Sequence, residues 1–454
     1  MKKKNILIIG AGPAGCAASF ELSRLGHQVT LIEKMNHLGG MAATFKWKDN
    51  YLDLGPHKYY TNIPEALAVV KELLGEELAT RPKTSKIRLF GGFVDYPVQI
   101  KDLLKKMGPI KALLFGFSFM VAQIKNLTGR APKSSKDYLE FMYGSAVYNG
   151  VFKSLSRKIW GEPEKLDVNL AKTRVPAPTL VQLISGLLFG TKNQPTVSAD
   201  IFYYPKKGIG TICDEFIKQS NIKVQFNKEL NKLTIKNGKI VEADVVVSSM
   251  HLEKLVEIIN PKAPHKIVKA VKSLKHRSLM IVYLEFNKSR LFKDSWMFFP
   301  EEQFIFNRLC EQKAFSPTMV SKDKTVLMAE ITCKFNDSRW LMKDKEIVDI
   351  VLTDLIKAGI IADKKNFLDS KIIRIGRGYP VYDLNYQKNR KIVLDYLSKI
   401  ENLYTIGRPG LFFYNNTDHS IQMGLELAKH IDQHKTRADW NKKLDEFFTY
   451  RIVD

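Results

Sequence analysis

The chain has 454 residues, 45% of them hydrophobic and 11% aromatic, which is the composition of a globular protein with one large core or two ordinary ones. Lys plus Arg number 71 against 47 Asp plus Glu, a formal charge of +24 spread along the chain, and such a field attracts anionic lipid or phosphorylated small molecules. No basic stripe with interleaved stacking aromatics marks a nucleic-acid module, no apolar run reaches the roughly 20 residues of a spanning helix, and Cys16, Cys213, Cys310 and Cys333 form no CxxC pair. Nucleic acid, membrane insertion, a metal centre and a disulfide framework are therefore not expected.

The opening MKKKNILIIGAG runs directly into a strand and glycine turn, so no export signal is expected and a reducing cytoplasm fits best. Ile6-Leu7-Ile8-Ile9 reads as a buried parallel strand. The helix Ala14 to Leu25, capped by Gly26, and the strand Gln28 to Glu33 complete a βαβ start. In the middle of the chain Ile222 to Phe226 predicts a strand, Asn237-Gly238 a tight hairpin, and Ala243 to Ser249 a buried strand. Near the end, Leu403 to Ile406 predicts a strand, followed by a loop and a helix from about Ser420. Nucleotide-type signals thus occur at both ends and once between. The expected architecture is α/β, with a discontinuous Rossmann-like nucleotide-binding domain (1–94, 203–250, 373–454) and an inserted α+β substrate domain (95–202, 251–372).

Within the first insertion, Ala112 to Ile124 (ALLFGFSFMVAQI) is almost wholly apolar and flanked by lysines. Its length suits a buried helix of the substrate domain, and the alternative is a peripheral contact in the membrane interface.

Gly10-Ala11-Gly12-Pro13-Ala14-Gly15 stands between a strand and a helix, the context that makes a GxGxxG pattern informative. Gly10 permits the tight turn, Gly12 lets backbone approach a pyrophosphate, Gly15 allows close helix packing, and the helix N-terminus supplies amide donors. Glu33 stands where a carboxylate accepts from ribose hydroxyls, an arrangement that repels a 2′-phosphate. A second pair, Gly39-Gly40 before Met41, follows Glu33 and Lys34 and removes side chains beside a second stretch of pyrophosphate. Dinucleotide dehydrogenases of the ordinary kind lack this pair.

This combination resembles the FAD-binding fold, of the GR2 type, shared by amine oxidases, protoporphyrinogen oxidases, phytoene desaturases and UDP-galactopyranose mutases. Further matches support the resemblance. Gly55-Pro56-His57-Lys-Tyr59-Tyr60-Thr61 is similar to the mutases' GPHxFHT segment, and Gly407-Arg408-Pro409-Gly410 through Asp418, Gln422 and Met423 is similar to the C-terminal flavin segment. Gly92 to Pro97, Lys158-Ile159-Trp160-Gly161, Thr173-Arg174-Val175-Pro176, Tyr204 to Gly210 and Gly378-Tyr379-Pro380 fall in family order between them. The resemblance implies FAD as cofactor, held by Gly10, Gly12, Pro13, Ala14, Gly15, Glu33, Lys34, Gly39, Gly40, Met41, Gly55, Pro56, His57, Val224, Gly407, Arg408, Asp418, Gln422 and Met423. It gives His57, Arg174, Arg377 and Tyr382 as the catalytic candidates, the arginines for phosphate or carboxylate.

The departures also matter. Ala177-Pro178 stands where the mutases place a second arginine, and Leu180 to Gly190 is apolar where they are rich in tyrosine. The sequence therefore points first to an FAD-dependent oxidoreductase that passes hydride to or from flavin N5 and takes a small-molecule substrate, phosphorylated or lipid-linked: a glycan, nucleotide-sugar or lipid-linked sugar precursor. A mutase-like non-redox sugar reaction is the first alternative. Oxidation, desaturation or reduction of a porphyrinogen or polyprenoid at a membrane surface is the second.

Overall fold

The computed structural model describes residues 3–96, 98, 100–126, 131–175 and 201–452. The chain divides into two compact units. The first comprises Met1–Thr80, Tyr203–Lys275 and Tyr386–Arg451, and the second Arg81–Phe202, His276–Asn385 and Ile452–Asp454.

The first unit is built on a five-stranded parallel sheet in the order Leu403–Thr405, Val245–Ser248, Asn5–Ile9, Gln28–Ile32, Lys223–Gln225. Ile6 pairs with Val245 on one side and Val29 on the other. Ile6, Ile8, Leu31, Val246 and Val247 are at most 2% exposed. Covered on both faces, a parallel strand reads as an unbroken apolar run, as these do. The chain leaves Asn5–Ile9 in one direction and later returns to its other flank with Val245–Ser248. That reversal is the topological switch point, where such sheets bind ligands at the carboxyl ends of the strands. The Asn237-Gly238 turn joins Leu233–Lys236 to Lys239–Ile240 with φ of 48° and 77°, the left-handed pair that a two-residue hairpin requires.

The second unit carries a seven-stranded sheet in the order Phe367–Pro380, His276–Phe286, Thr325–Cys333, Arg308–Glu311, Trp296–Phe298, Ser85–Leu89, Gly92–Asp95. All neighbours are antiparallel except Trp296–Phe298 and Ser85–Leu89. Helix Asp344–Lys357 packs Ile347, Val351 and Leu355 against it in a core with Met280, Val282 and Leu284. A smaller helical cluster gathers around Tyr138, Leu139, Tyr148 and Ala171.

Three boundaries differ from those expected. Residues 81–94 belong to the second unit, because Ser85–Leu89 is hydrogen-bonded to Trp296–Phe298. Residues 251–275 belong to the first, where helix His265–Lys272 packs on helix Tyr386–Leu397. Residues 373–385 join the second, as Phe367–Pro380 runs the length of His276–Phe286.

The apolar segment 112–124 is a further correction to the favoured expectation of a buried helix. It lies in helix Pro109–Asn126, in which Ala122 is buried while Ile110, Leu113, Leu114, Phe117, Met120 and Ile124 are 55–82% exposed. Among the described residues no helix is long and apolar enough to cross a membrane.

Candidate functional site

Strand Asn5–Ile9 ends at Gly10, whose φ of +99° suits glycine and whose N–H donates to the Ile32 carbonyl at 2.8 Å. A Cβ on Gly15 would stand 2.0 Å from the Gly10 carbonyl oxygen, so this position packs the turn against helix Pro13–Arg24. Gly12 differs, because nothing lies within 4 Å of where its Cβ would be. Its backbone faces open space at the N-terminus of that helix, with Pro13 opening the first turn and no acidic residue in it. The free amides and dipole of such a terminus favour an anion.

The second glycine pair lies on the first. Gly39 N–H donates to the Ala11 carbonyl at 2.8 Å, and a Cβ on Gly40 would come 3.3 Å from the Cα of Gly12. Glu33 braces this arrangement, accepting from Ala11 N at 2.8 Å and Met35 N at 2.9 Å while 8% exposed. Each carboxylate oxygen keeps a lone pair for a ribose hydroxyl. Lys34 is exposed and Met41 half-buried beside the turns; Val224 pairs with Leu31 on the outer strand.

Behind the turns runs a network that the motifs did not reveal. Buried Asp53 accepts from Thr44 Oγ1 at 2.6 Å, from Ile209 N at 3.1 Å and from the Tyr204 hydroxyl. Thr44 in turn accepts from Gly210 N at 2.8 Å. The hairpin that follows the glycine pair, Thr44–Trp47 with Asn50–Asp53, is thereby fixed to the Tyr204 to Gly210 return. Gly55, at φ +89°, then Pro56 and His57 lead out of that hairpin, with His57 Nε2 3.3 Å from the Leu54 carbonyl and the ring half-buried.

The C-terminal segment closes on the same place. A Cβ on Gly407 would stand 3.0 Å from Ala14 Cβ, one on Gly410 2.9 Å from the Ser248 carbonyl, and one on Gly424 2.5 Å from the Ala14 carbonyl. Helix Thr417–Asp432 therefore packs at Gly424, two turns in, on the first turns of helix Pro13–Arg24. It begins about three residues earlier than the sequence suggested, and Gly407–Leu411 forms a short helix instead of loop. Ser249, at the switch point, donates to the carbonyls of Ile9 and Gly10, both at 3.1 Å.

Arg408 directs its guanidinium to the Asn415 carbonyl, with Nε at 3.1 Å, and lies over the Tyr414 ring. Asn415 is fully buried; its amide donates to Ser420 Oγ at 3.1 Å, and among the described residues its Oδ1 has no partner. Asp418 is 3% exposed, and burial holds its carboxyl above the usual range against the opposing effects of His419 and a hydrogen bond from Thr61. Burial likewise lowers the His419 imidazole pKa. The Gln422 side-chain amide nitrogen donates to Glu65 at 2.9 Å and to Glu426 at 3.0 Å, while among the described residues its buried Oε1 has no hydrogen-bond partner. Met423 is buried with its sulfur 3.8 Å from the Asn415 amide.

These features fit a dinucleotide whose pyrophosphate passes between two glycine turns. Gly12 offers the space, the helix start offers the donors, and the buried Asn415 and Asp418 oxygens offer acceptors for hydroxyl or ring N–H groups. Among the described residues no cluster suited to a metal ion occurs.

The remaining candidates lie in the second unit. The Arg174 guanidinium stacks on Trp160, 5.0 Å from the ring centre. Lys158 is a buried anchor whose ammonium donates to the Phe299 and Glu301 carbonyls at 2.8 and 2.9 Å; burial, with Arg339 nearby, lowers its pKa to about 7. Arg277 donates to the Ile159 carbonyl at 3.1 Å. The Lys158 to Gly161 element is thus held from both sides. Arg377 is exposed on the outer strand, and Tyr382 is 4% exposed with its carbonyl accepting from Asp167 N at 2.7 Å. A polar group missed in the sequence joins Arg308 to Glu330 at 2.5 Å, with the Tyr379 hydroxyl 3.4 Å from both and Trp296 stacked against the guanidinium at 5.1 Å. Pro97, Pro176, Ala177, Pro178 and the apolar stretch 180–190 lie outside the described residues.

Comparison with known proteins agrees with this geometry. A model described as NAD(P)-binding Rossmann-like domain matches residues 8–73, and one described as UDP-galactopyranose mutase matches 191–348. Curated relatives match only in part. L-amino acid oxidase Cdc18 of Crotalus durissus cumanensis is 38% identical over 71 residues, 16% of this chain and 14% of that protein. The L-amino-acid oxidase of Sistrurus catenatus edwardsii is 28% identical over 125 residues, 24% of this chain and 23% of that protein. The match therefore spans less than a quarter of these relatives' length.

Solved structures match throughout. Reduced UDP-galactopyranose mutase superposes with a TM-score of 0.82 at 19% identity, covering 95% of this chain and 94% of that one. A putative protoporphyrinogen oxidase from Exiguobacterium sp. 255-15 gives 0.74 at 17%, covering 96% and 100%. A redesigned putrescine oxidase gives 0.65 at 15%, covering 94% and 99%.

Proposed function

We propose that this chain, which has the fold of the superfamily uniting FAD-dependent amine oxidases, protoporphyrinogen oxidases and UDP-galactopyranose mutases, is an FAD-dependent oxidoreductase of a glycan, nucleotide-sugar or lipid-linked sugar precursor. The observation that carries the cofactor is the stacking of Gly40 on Gly12, with open space before Gly12 at a helix start. Bound FAD would supply hydride acceptance or donation at its N5. The protein's share is orientation and charge. Gly10, Gly12, Pro13, Ala14, Gly15, Gly39, Gly40 and Met41 hold the pyrophosphate. Glu33 takes the ribose, and Val224 and Lys34 border the adenosine end.

Gly55, Pro56 and His57 would flank the ring, and Gly407, Arg408, Asp418, Gln422 and Met423 would hold it from the C-terminal segment. The start of helix Thr417–Asp432 favours negative charge on the reduced ring. Arg174 and Arg377 are assigned to an anionic group of the substrate, and Tyr382 to its sugar. The basic balance of the chain supports an anionic substrate. A place at the inner face of a membrane, where a lipid-linked sugar is met, belongs to the same reading and draws on the exposed helix Pro109–Asn126.

The second reading is a non-redox sugar mutase, favoured by the full-length superposition on UDP-galactopyranose mutase. One experiment tests both. The purified protein is reconstituted with FAD and offered sugar nucleotides and polyprenyl-phosphate sugars while the flavin spectrum is followed. Bleaching by a sugar-containing substrate is expected. Ring contraction of UDP-galactopyranose by reduced enzyme, with no net flavin turnover, selects the mutase, and failure to retain FAD sinks both.

A further inference from the structure

From helix Pro109–Asn126 we infer that the second unit docks on an anionic membrane surface, lying in the interface plane on one face of that helix. The argument rests on its inverted polarity. A helix on a globular protein normally turns its apolar stripe inward and its polar residues to water. Here the uncharged polar side chains face the protein: Gln123 donates to the Met142 carbonyl at 3.0 Å, Asn126 to the Phe141 carbonyl at 2.6 Å, and Ser118 Oγ accepts from Ala146 N at 3.0 Å. Phe115 packs beside Gly150 and Phe90 on that side. The outward stripe is Ile110, Leu113, Leu114, Phe117, Met120 and Ile124, spaced at three and four residues and 55–82% exposed. Six large side chains on one contiguous face exceed the scattered apolar exposure that soluble surfaces tolerate.

Charge identifies the occupant. Between Asp102 and Asp137 the sequence contains no acidic residue, whereas Lys105, Lys106, Lys111 and Lys125, all exposed, bracket the stripe. Lys111 lies over the Phe90 ring at 5.2 Å, at the border of the apolar face. An apolar stripe rimmed by cations matches acyl chains beneath anionic headgroups. A second copy of this chain would bring the same cations face to face. At 18 residues and about 1.5 Å per residue the helix is too short to span a bilayer and long enough to lie along it. This inference does not depend on the flavin reaction.

The test uses the full chain and vesicles of phosphatidylcholine, alone or mixed equally with phosphatidylglycerol, in a flotation assay. Wild type is expected to float with the mixed vesicles and far less with phosphatidylcholine alone. Leu113→Glu with Phe117→Glu is expected to stay at the bottom while keeping its circular dichroism spectrum and flavin. Because these positions face outward, the fold tolerates them. Lys111→Gln and Lys125→Gln are each expected to weaken binding by about fivefold, and added salt to weaken it further. Failure of wild type to float, equal flotation of the glutamate variant, or a light-scattering dimer that the glutamate variant abolishes without any vesicle binding would overturn the inference.

Discussion

Gly424 and Ala14 approach so closely that a single methyl on the glycine would stand 2.5 Å from the alanine's carbonyl oxygen and 2.8 Å from Ala18 N. Both neighbours are backbone, which cannot swing aside. Gly424→Ala is therefore expected to push helix Thr417–Asp432 off helix Pro13–Arg24, costing about 1–3 kcal/mol. Urea denaturation checks the stability and gel filtration checks flavin retention. A variant as stable as wild type and fully yellow would show that this close approach of the two helices is not required.

Gly12 and Gly15 are expected to separate binding from folding. Gly12→Ala has room in the protein and fills space assigned to the pyrophosphate, so it should fold normally and retain little FAD. Gly15→Ala places its methyl 2.0 Å from the Gly10 carbonyl and should lose stability outright. Thermal melts of the two apoproteins, alongside FAD titration, distinguish them. Equal FAD affinity in Gly12→Ala would move the cofactor away from this turn.

The Asp53 network gives a third expectation. Tyr204→Phe deletes a buried hydrogen bond to the carboxylate and should cost about 1–3 kcal/mol, with little change in the size of the unfolding transition. Asp53→Ala, which also abandons Thr44 Oγ1 and Ile209 N, should cost more than Tyr204→Phe. Indistinguishable denaturation midpoints for Tyr204→Phe and wild type would reduce the network to a bystander.

Acid should act on the second unit through His276. Burial, assisted by Arg377, lowers its pKa from 6.5 to about 4, so the folded state keeps it neutral where the unfolded chain binds a proton. The unfolded state then holds more protons between about pH 6.5 and pH 4, and stability from this group falls as pH drops through that window. Compared with His276→Gln, which has no such titration, wild type should lose relative stability on going from pH 7 to pH 4.5. A difference that stays constant with pH would show that the imidazole does not titrate as described.

What the sequence disclosed followed from backbone demands that glycine alone meets. Gly10, Gly39 and Gly55 have φ between 89° and 99°, and Gly15 sits where no side chain fits, so the turns were legible as patterns. The β-branched runs Ile6 to Ile9 and Val245 to Val247 were legible because both faces of their sheet are covered. The Asp53 lock was not legible, since its partners Thr44, Tyr204 and Ile209 meet only in the folded chain. The Arg308 to Glu330 pair escaped notice for the same reason: cross-strand register, unlike a local motif, leaves no spacing in sequence. Helix Pro109–Asn126 was misjudged because an almost wholly apolar segment has no obvious outside. Its few polar residues, which would ordinarily mark the solvent face, mark the protein face instead.

The strand order of the first unit has a consequence for how the protein is made. The opening strand Asn5–Ile9 must wait for Val245–Ser248, and that strand for Leu403–Thr405, before the sheet is complete. The helix that seats against Ala14 follows later still. During synthesis, then, the glycine turn leaves the ribosome well before Val245–Ser248 and Leu403–Thr405, and it stays half-walled until both have emerged. Long-range pairing of this kind folds slowly and leaves a bare strand edge in the interim. Loading of the nucleotide thus waits on strand Leu403–Thr405 and the helix after it, and a nascent chain stalled before Leu403 presents a sheet that lacks that strand.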